Sequence, residues 1–436
     1  MRITWLKPEE RIEHEFRALE EEGLDASSLK SEWLAGQNVA PSERRALAER
    51  LLDEARAFSE TVSKPNETDL IAALQRLPKT QTRFSDSELE RSILAGWTGR
   101  MAGCLLGKPV EKVRRAGIRA ILHSAKRWPL DQYFSSNGVP QNILEQYPWN
   151  HASRTTSLLE NIKCMPEDDD INYAMLNLAV LEKAGIDFST EDIGTAWLEM
   201  MPALTVFTAE RVAYVNLLEY LEPPETARHR NPYREWIGAQ IRADVWGWVS
   251  PGDPAMAAQL AWRDARLSHV ENGIYAEMFV AAMVAAAFTC DDSREIILEG
   301  LSVIPGESRL AEAIRFTLEL PSLEPDWEAG LDRLYRRYGH YHWVHAINNA
   351  ALVSAALLYG AGDFERSICL AVMGGWDTDC NGATVGSIVG TMGARIPEKW
   401  SEPLNNRVRS SLSGFDFSSI DDLARRTVAQ VPKAYR

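Results

Sequence analysis

The sequence predicts an all-α protein: a compact multi-helix domain with an N-terminal helical extension. Three observations carry that expectation. Long alanine- and leucine-rich segments bring apolar residues round at three- and four-residue intervals. Small residues recur closely enough along them for one helix to pack tightly on another. Alternating valine, isoleucine and threonine runs, the mark of strands, are few. With 436 residues and 45% hydrophobic content, the chain can bury a large core without covalent staples.

The first stretch, Lys7 to about Glu60, is strongly charged. Its apolar residues fall at helical spacing: Ile12, Phe16 and Leu19, then Leu29, Trp33 and Leu34, then Leu47, Leu51, Leu52 and Ala55. Two or three amphipathic helices are expected, one starting at Pro41-Ser42-Glu43-Arg44, where proline and an acid suit a first turn. Thr61 to Ser85 is polar and turn-rich and is the expected linker, which divides the chain into residues 1–85 and 86–436. Beyond it, buried helices are expected over Leu89–Leu106, Ile171–Ala184, Pro254–Leu267, Gly273–Phe288, Ser308–Leu318, Trp343–Tyr359, Phe364–Met373 and Asn381–Met392.

Two acidic clusters stand at the heads of such helices. Pro166-Glu167-Asp168-Asp169-Asp170 precedes the stripe Ile171, Ala174, Met175, Leu178 and Leu181, which ends near Gly185. Carboxylates there suit the free N–H groups and the helix dipole, yet four acids in a row exceed what a cap needs. Gly374-Gly375-Trp376-Asp377-Thr378-Asp379 is followed by Gly382, Gly386 and Gly390, whose spacing admits a close neighbour. Oxygen-only ligands point to Mg²⁺, Mn²⁺ or Ca²⁺ rather than zinc. Each cluster is thus either a set of helix caps or half of a site for hard cations.

Together with Gly99-Arg-Met-Ala-Gly103-Cys-Leu-Leu-Gly107-Lys-Pro-Val-Glu111 and Leu267-Ser268-His269, these clusters resemble the ordered signatures of the ADP-ribosylglycohydrolase family. The likeness covers about residues 88 to 400 and is greatest to the bacterial branch similar to ADP-ribosyl-crystallin. The resemblance implies an all-α domain that holds two Mg²⁺ or Mn²⁺ ions between the acidic loops and cleaves a glycosidic bond at a ribose C1. It places Asp168, Asp169, Asp377 and Asp379 on the metals, with Glu167 as a further ligand where the family pattern has threonine. Cys380 replaces a usual threonine ligand, and Cys104 a common aspartate. Glu111 matches a glutamate that some members use near the scissile bond, so Glu111 and Asp169 are the expected catalytic residues. Read without the family, Glu111 is more readily a surface salt-bridge residue beside Lys108, Lys112 and Arg114.

Trp376, His269, Asn272 and Asn348 are the expected pocket residues. Trp376 either stacks on a sugar or base or packs in the core, and His269 either lines the site or orients a loop. Asn348 and Asn349 sit in an otherwise apolar helix, where buried amides need partners. His340, His342 and His345 are spaced so that they do not share one helical face, which argues against zinc. Glu277 on the following small-residue helix and the aromatic loop Trp246 to Asp253 are further candidates.

The expected function is metal-dependent hydrolysis of an N- or O-glycosidic bond at a ribosyl or related sugar C1, on a small glycoside or nucleotide-sugar substrate. The alternatives are a binding or structural protein without turnover and a metal-dependent phosphoester hydrolase. A net charge of -15 disfavours non-specific contact with nucleic acid or an anionic membrane. Five cysteines without CxxC spacing indicate neither a disulfide framework nor a zinc knuckle. No apolar run suits a signal peptide or a membrane span, so a cytoplasmic protein is expected.

Overall fold

The computed structural model describes residues 4–62, 64–77, 80 and 82–436. Among them there are 23 α-helices and no strand, only isolated bridges such as Met165 with Val408. All eight expected helices of the main body form. They run over Asp86–Gly107, Asp169–Ala184, Pro254–Ala265, Asn272–Ala286, Arg309–Leu323, Ala346–Gly360, Phe364–Met373 and Thr378–Thr391. Differences are confined to the ends and follow the caps. Ser85 accepts a bond from the Glu88 amide, which draws the first of these helices back to Asp86. His345 accepts from Ile347 through Nδ1, so the helix expected from Trp343 begins at Ala346.

The architecture turns on one pair of helices. Asp86–Gly107 and Thr378–Thr391 cross with their glycines face to face. A Cβ built on Gly99 would lie 2.1 Å from the Gly386 carbonyl oxygen, and one on Gly103 1.9 Å from that of Gly382. Main chain therefore touches main chain, and no side chain larger than hydrogen fits between. The contact continues to Gly107, whose Cβ position is 2.2 Å from Thr378 O, and Thr378 Oγ1 donates to Gly107 O at 2.9 Å. The end of the first helix is thereby pressed onto the start of the second. Around this pair Leu89, Ile93, Trp97, Met101, Ile388 and Val389 are fully buried.

The sequence places a strong demand on that crossing. Gly103→Ala is expected to lower stability by about 1–3 kcal/mol or more, since neither carbonyl can step aside without moving its helix. Gly306, whose Cβ position meets nothing within 4 Å, supplies the control. Chemical denaturation of the two alanine variants checks this; equal midpoints would mean that the crossing is looser than described.

The N-terminal helices Pro8–Glu21, Ser27–Ala35 and Pro41–Ser59 enclose a small core of their own around Ile12, Phe16, Leu19, Trp33, Leu51 and Leu52. They attach to the body mainly through charge. Arg234 reaches Glu15 at 2.8 Å and Glu22 at 2.6 Å, Arg230 grips Asp53, and Arg56 grips Glu225. The stretch expected to be a linker contains a further helix, Glu67–Leu74, capped by the Asn66 side chain. Ile71 and Leu74 pack into the main core. No helix among the described residues is long and apolar enough to cross a membrane.

Candidate metal centre

The two acidic clusters meet where the glycine-packed helices end. Asp168 caps the Asp169–Ala184 helix: its Oδ1 accepts from the Asp170 amide at 2.9 Å. Its Oδ2 accepts from the Lys108 ammonium, which also donates to Glu167 O at 3.1 Å. Asp377 stands at the head of Thr378–Thr391 but gives no side-chain cap. Its amide is held instead by Asn349 Oδ1 at 3.1 Å, which also accepts from Asn381 Nδ2 at 2.7 Å. Asn349 Nδ2 in turn donates to Trp343 O and His345 O. Its four bonds make Asn349 the residue that fixes the second loop, and its interior position in an apolar helix was the one sign of this in the sequence.

Two groups of ligand atoms result, each within 4.8 Å of one another: Asp377, Asp379 and Cys380, and Cys104, Asp168 and Asp170. All six residues are buried. Asp379 Oδ1 has no hydrogen-bond partner, and Asp379 is only 7% exposed. The clusters feel each other. Burial, then Glu111 and Asp168, pushes the Asp379 carboxyl up to about 7. Burial and the Asp379 charge push Asp377 well up, and burial with Asp168 and Asp379 does the same to Asp169. Burial opposes ionisation of Asp168 too, but the Lys108 ammonium outweighs it and holds that carboxyl below its usual value. Buried carboxylates crowded until they resist ionisation, with an unpartnered oxygen among them, fit a divalent cation. The thiols of Cys104 and Cys380 are pushed well above their ordinary value, mainly by burial, and are poor ligands for a soft metal in that state.

Other expected residues fall as follows. Glu111 lies just past the Lys108–Val110 turn, accepting from Asn150 Nδ2 at 2.6 Å and from Lys112 Nζ at 3.0 Å. Its charge acts on both Asp377 and Asp379, so it faces the centre while remaining partly open to solvent. Asp169 is half-buried in the first turn of its helix. The Glu167 side chain is exposed and turns to Asn172 Nδ2 at 3.3 Å. Trp376, at φ 52°, stacks on Tyr335 with ring centres 4.3 Å apart, and Tyr335 donates to Gly374 O. One face of that indole is therefore covered.

His269 and Asn272 belong to a different network. His269 Nδ1 is 2.8 Å from Ser268 Oγ, and burial followed by Arg242 drives its pKa well down. Asn272 binds Glu235 through its amide and Nδ2, while its Oδ1 caps Leu310. Asn348 donates to His342 O and leaves its buried Oδ1 unpartnered. Glu277 and Trp246 join Asp264 and Arg242 in the core. His342 stacks on Trp236 at 4.2 Å. A cleft of about 490 Å³ between the extension and the body is lined by Arg56, Lys64, Arg234 and Glu271, whose charges are mostly committed to each other or to neighbouring side chains.

Residues 85–435 match the family model for ADP-ribosylglycohydrolase, and the chain belongs to that family. An uncharacterised protein of Archaeoglobus fulgidus is 30% identical over 179 residues, 40% of this chain and 55% of that protein. The chain thus matches about half the length of that relative. A solved structure described as an ADP-ribosylglycohydrolase-related protein complex aligns with 79% of this chain and 100% of its own, at 17% identity and a TM-score of 0.49. A likeness of that size says nothing about activity.

Proposed function

We propose that the protein hydrolyses a glycosidic bond at the C1 of a ribosyl or related sugar, with Mg²⁺ or Mn²⁺ held by the acidic loops. The observation that carries this reading is the pair Asp377 and Asp379, buried close enough to Asp168 and Asp169 for their charges to act on one another, with one carboxylate oxygen of Asp379 unpartnered. Held by these carboxylates, a divalent ion would supply positive charge for the sugar oxygens and would raise the acidity of a neighbouring water. Glu111, held by Asn150 and Lys112, is the proposed acceptor of the attacking water's proton. Asp169 assists from the half-buried first turn. Trp376, rigid on Tyr335, forms the wall of the second loop. A small nucleoside-like or ADP-ribosyl glycoside is the proposed substrate class.

Mass-spectrometric hydrolysis of nucleosides, nucleotides and ADP-ribose conjugates with added Mg²⁺ or Mn²⁺ tests this. Release of free base or aglycone with phosphates intact, abolished in Glu111→Gln, is the expected result. Release of inorganic phosphate instead would favour phosphoester hydrolysis. Cation affinity should also depend on pH in a stated direction. A carboxyl raised to about 7 is ionised above that pH and protonated below it, so Mn²⁺ must displace a proton as pH falls. Calorimetric titration is expected to show roughly tenfold weaker binding at pH 6 than at pH 8. Equal affinities would remove Asp379 from the ligand set.

A further inference from the structure

One cation is already built into the centre. The Gly107 contact presses the end of the first helix onto Thr378 and Asp379, so the next residue, Lys108, turns inward rather than to the surface. Its backbone is pinned there, since Ser153 Oγ donates to Lys108 O at 2.8 Å and the Asn150 amide donates to Pro109 O at 2.8 Å. The side chain is 10% exposed and ends between Asp168 Oδ2 and Glu167 O. There it forms an ion pair with the Asp168 carboxylate.

The two acidic loops consequently differ in what they have left to offer. Both oxygens of Asp168 are committed, Oδ1 to the Asp170 amide and Oδ2 to Lys108. Asp170 Oδ1 faces the buried Arg100 guanidinium at 3.4 Å, while its Oδ2 has no partner. On the other loop no lysine or arginine pairs with Asp377 or Asp379 among the described residues, and Asp379 Oδ1 is unpartnered. A buried lysine thus pairs with a carboxylate on one side of the centre, while the other side has no ion pair among the described residues.

We infer that the Lys108 ammonium stands in for one of two cations, so that a single divalent ion binds, on the Asp377–Asp379 side, and Asp168 serves as the counter-ion of Lys108 rather than as a metal ligand. This rests on the metal-dependent reading above. An ammonium exchanges no ligands and activates no water, so Lys108 is a positioning residue. Of its three N–H bonds two are taken by Asp168 and Glu167, and the third is free to orient an oxygen of the substrate.

The test is the stoichiometry and spectrum of bound Mn²⁺ on the full chain, by equilibrium dialysis with elemental analysis and by electron paramagnetic resonance. The wild type is expected to hold one ion with an uncoupled six-line signal. Lys108→Met is expected to hold two, with the spectrum of an exchange-coupled pair. Asp168→Asn, which keeps the packing and guards against a misfolded methionine variant, is expected to retain the single ion with affinity changed less than threefold. Two coupled ions in the wild type would overturn this inference and leave the metal-dependent function standing. Loss of the single ion in a folded Asp168→Asn would also overturn it. No bound Mn²⁺ in the wild type would overturn both.

Discussion

Asp379→Asn is expected to abolish turnover while making the cation-free protein more stable. The loss of activity follows from the ligand. An ion at the reaction centre contributes several kcal/mol to the transition state, so removing its principal carboxylate should cost roughly a thousandfold in rate. The gain in stability follows from the pKa. Asp379 is only 7% exposed and its carboxyl is raised to about 7 by burial, then by Glu111 and Asp168. In the unfolded chain the same carboxyl ionises near its ordinary value. Between about pH 4 and pH 7 the folded protein therefore binds more protons than the unfolded one, and stability falls as pH rises through that window. Above pH 7 the whole penalty is present, about 2–4 kcal/mol for a shift of this order. Asparagine keeps the shape and carries no charge to bury.

Two melts separate the effects. At pH 8 in chelator, Asp379→Asn should unfold at a higher temperature than the wild type; at pH 4.5 most of that difference should be gone. Adding Mn²⁺ at pH 8 should raise the wild type through mass action and leave the variant unmoved. A variant less stable than the wild type in chelator at pH 8 would mean that the carboxylate makes a structural bond not seen here. Retained activity would move the chemistry away from the Asp377–Asp379 loop altogether.

The helices of the main body were legible because their signal is local. Apolar periodicity in Ile171–Leu181 and small-residue runs such as Gly273–Phe288 declare a buried helix without reference to anything distant. The acids at helix heads were legible for the same reason, since Asp168 and Asp377 occupy the positions that the dipole and the free amides favour. The helix inside the expected linker is fainter in the sequence, although Asn66 followed by Ile71 and Leu74 holds the cap and the spacing of a short amphipathic turn. Its eight residues are too few for periodicity to outweigh a polar surrounding.

What stayed hidden is where charges point. Lys108 beside Glu111 and Lys112 has the look of a surface cluster. Only the crossing of two glycine stripes, more than 270 residues apart at Gly107 and Thr378, turns it inward onto Asp168. Arg100 is similar: its partners Asp170 and Asp244 lie 70 and 144 residues away. His269 and Asn272 show the converse. Polar residues at a helix start near a family signature suggest a pocket, but which partners they take, Ser268, Glu235 and Leu310, is not written in that spacing. Sequence spacing reports which residues share a helix face; it is silent on which buried polar group will meet which.

Arg100→Met is expected to be the most destabilising single change near the centre. Arg100, Asp170 and Asp244 are all fully buried. The guanidinium bonds Asp244 Oδ2 at 2.5 Å, donates to Asp170 O through Nε at 3.0 Å and through its terminal nitrogen at 2.6 Å, and also reaches Ile241 O. Methionine fills much of the space but leaves two buried carboxylates with no cation, a defect that costs about 3–5 kcal/mol. The cost should depend on pH. Burial already raises both carboxyls despite Arg100, so without it they would take up protons more readily still. Such groups lower stability as pH rises, which makes the deficit of Arg100→Met smaller at pH 5 than at pH 8. The double variant Arg100→Met, Asp244→Leu should recover part of the loss by removing one stranded charge, a coupling that a double-mutant cycle in denaturant reads directly. Activity should not recover with it, because the Asp170 carbonyl that Arg100 holds belongs to the loop carrying Asp168 and Asp169. If Arg100→Met stays within about 0.5 kcal/mol of the wild type at pH 8, the buried pair is not formed as described and the anchoring of that loop must lie elsewhere.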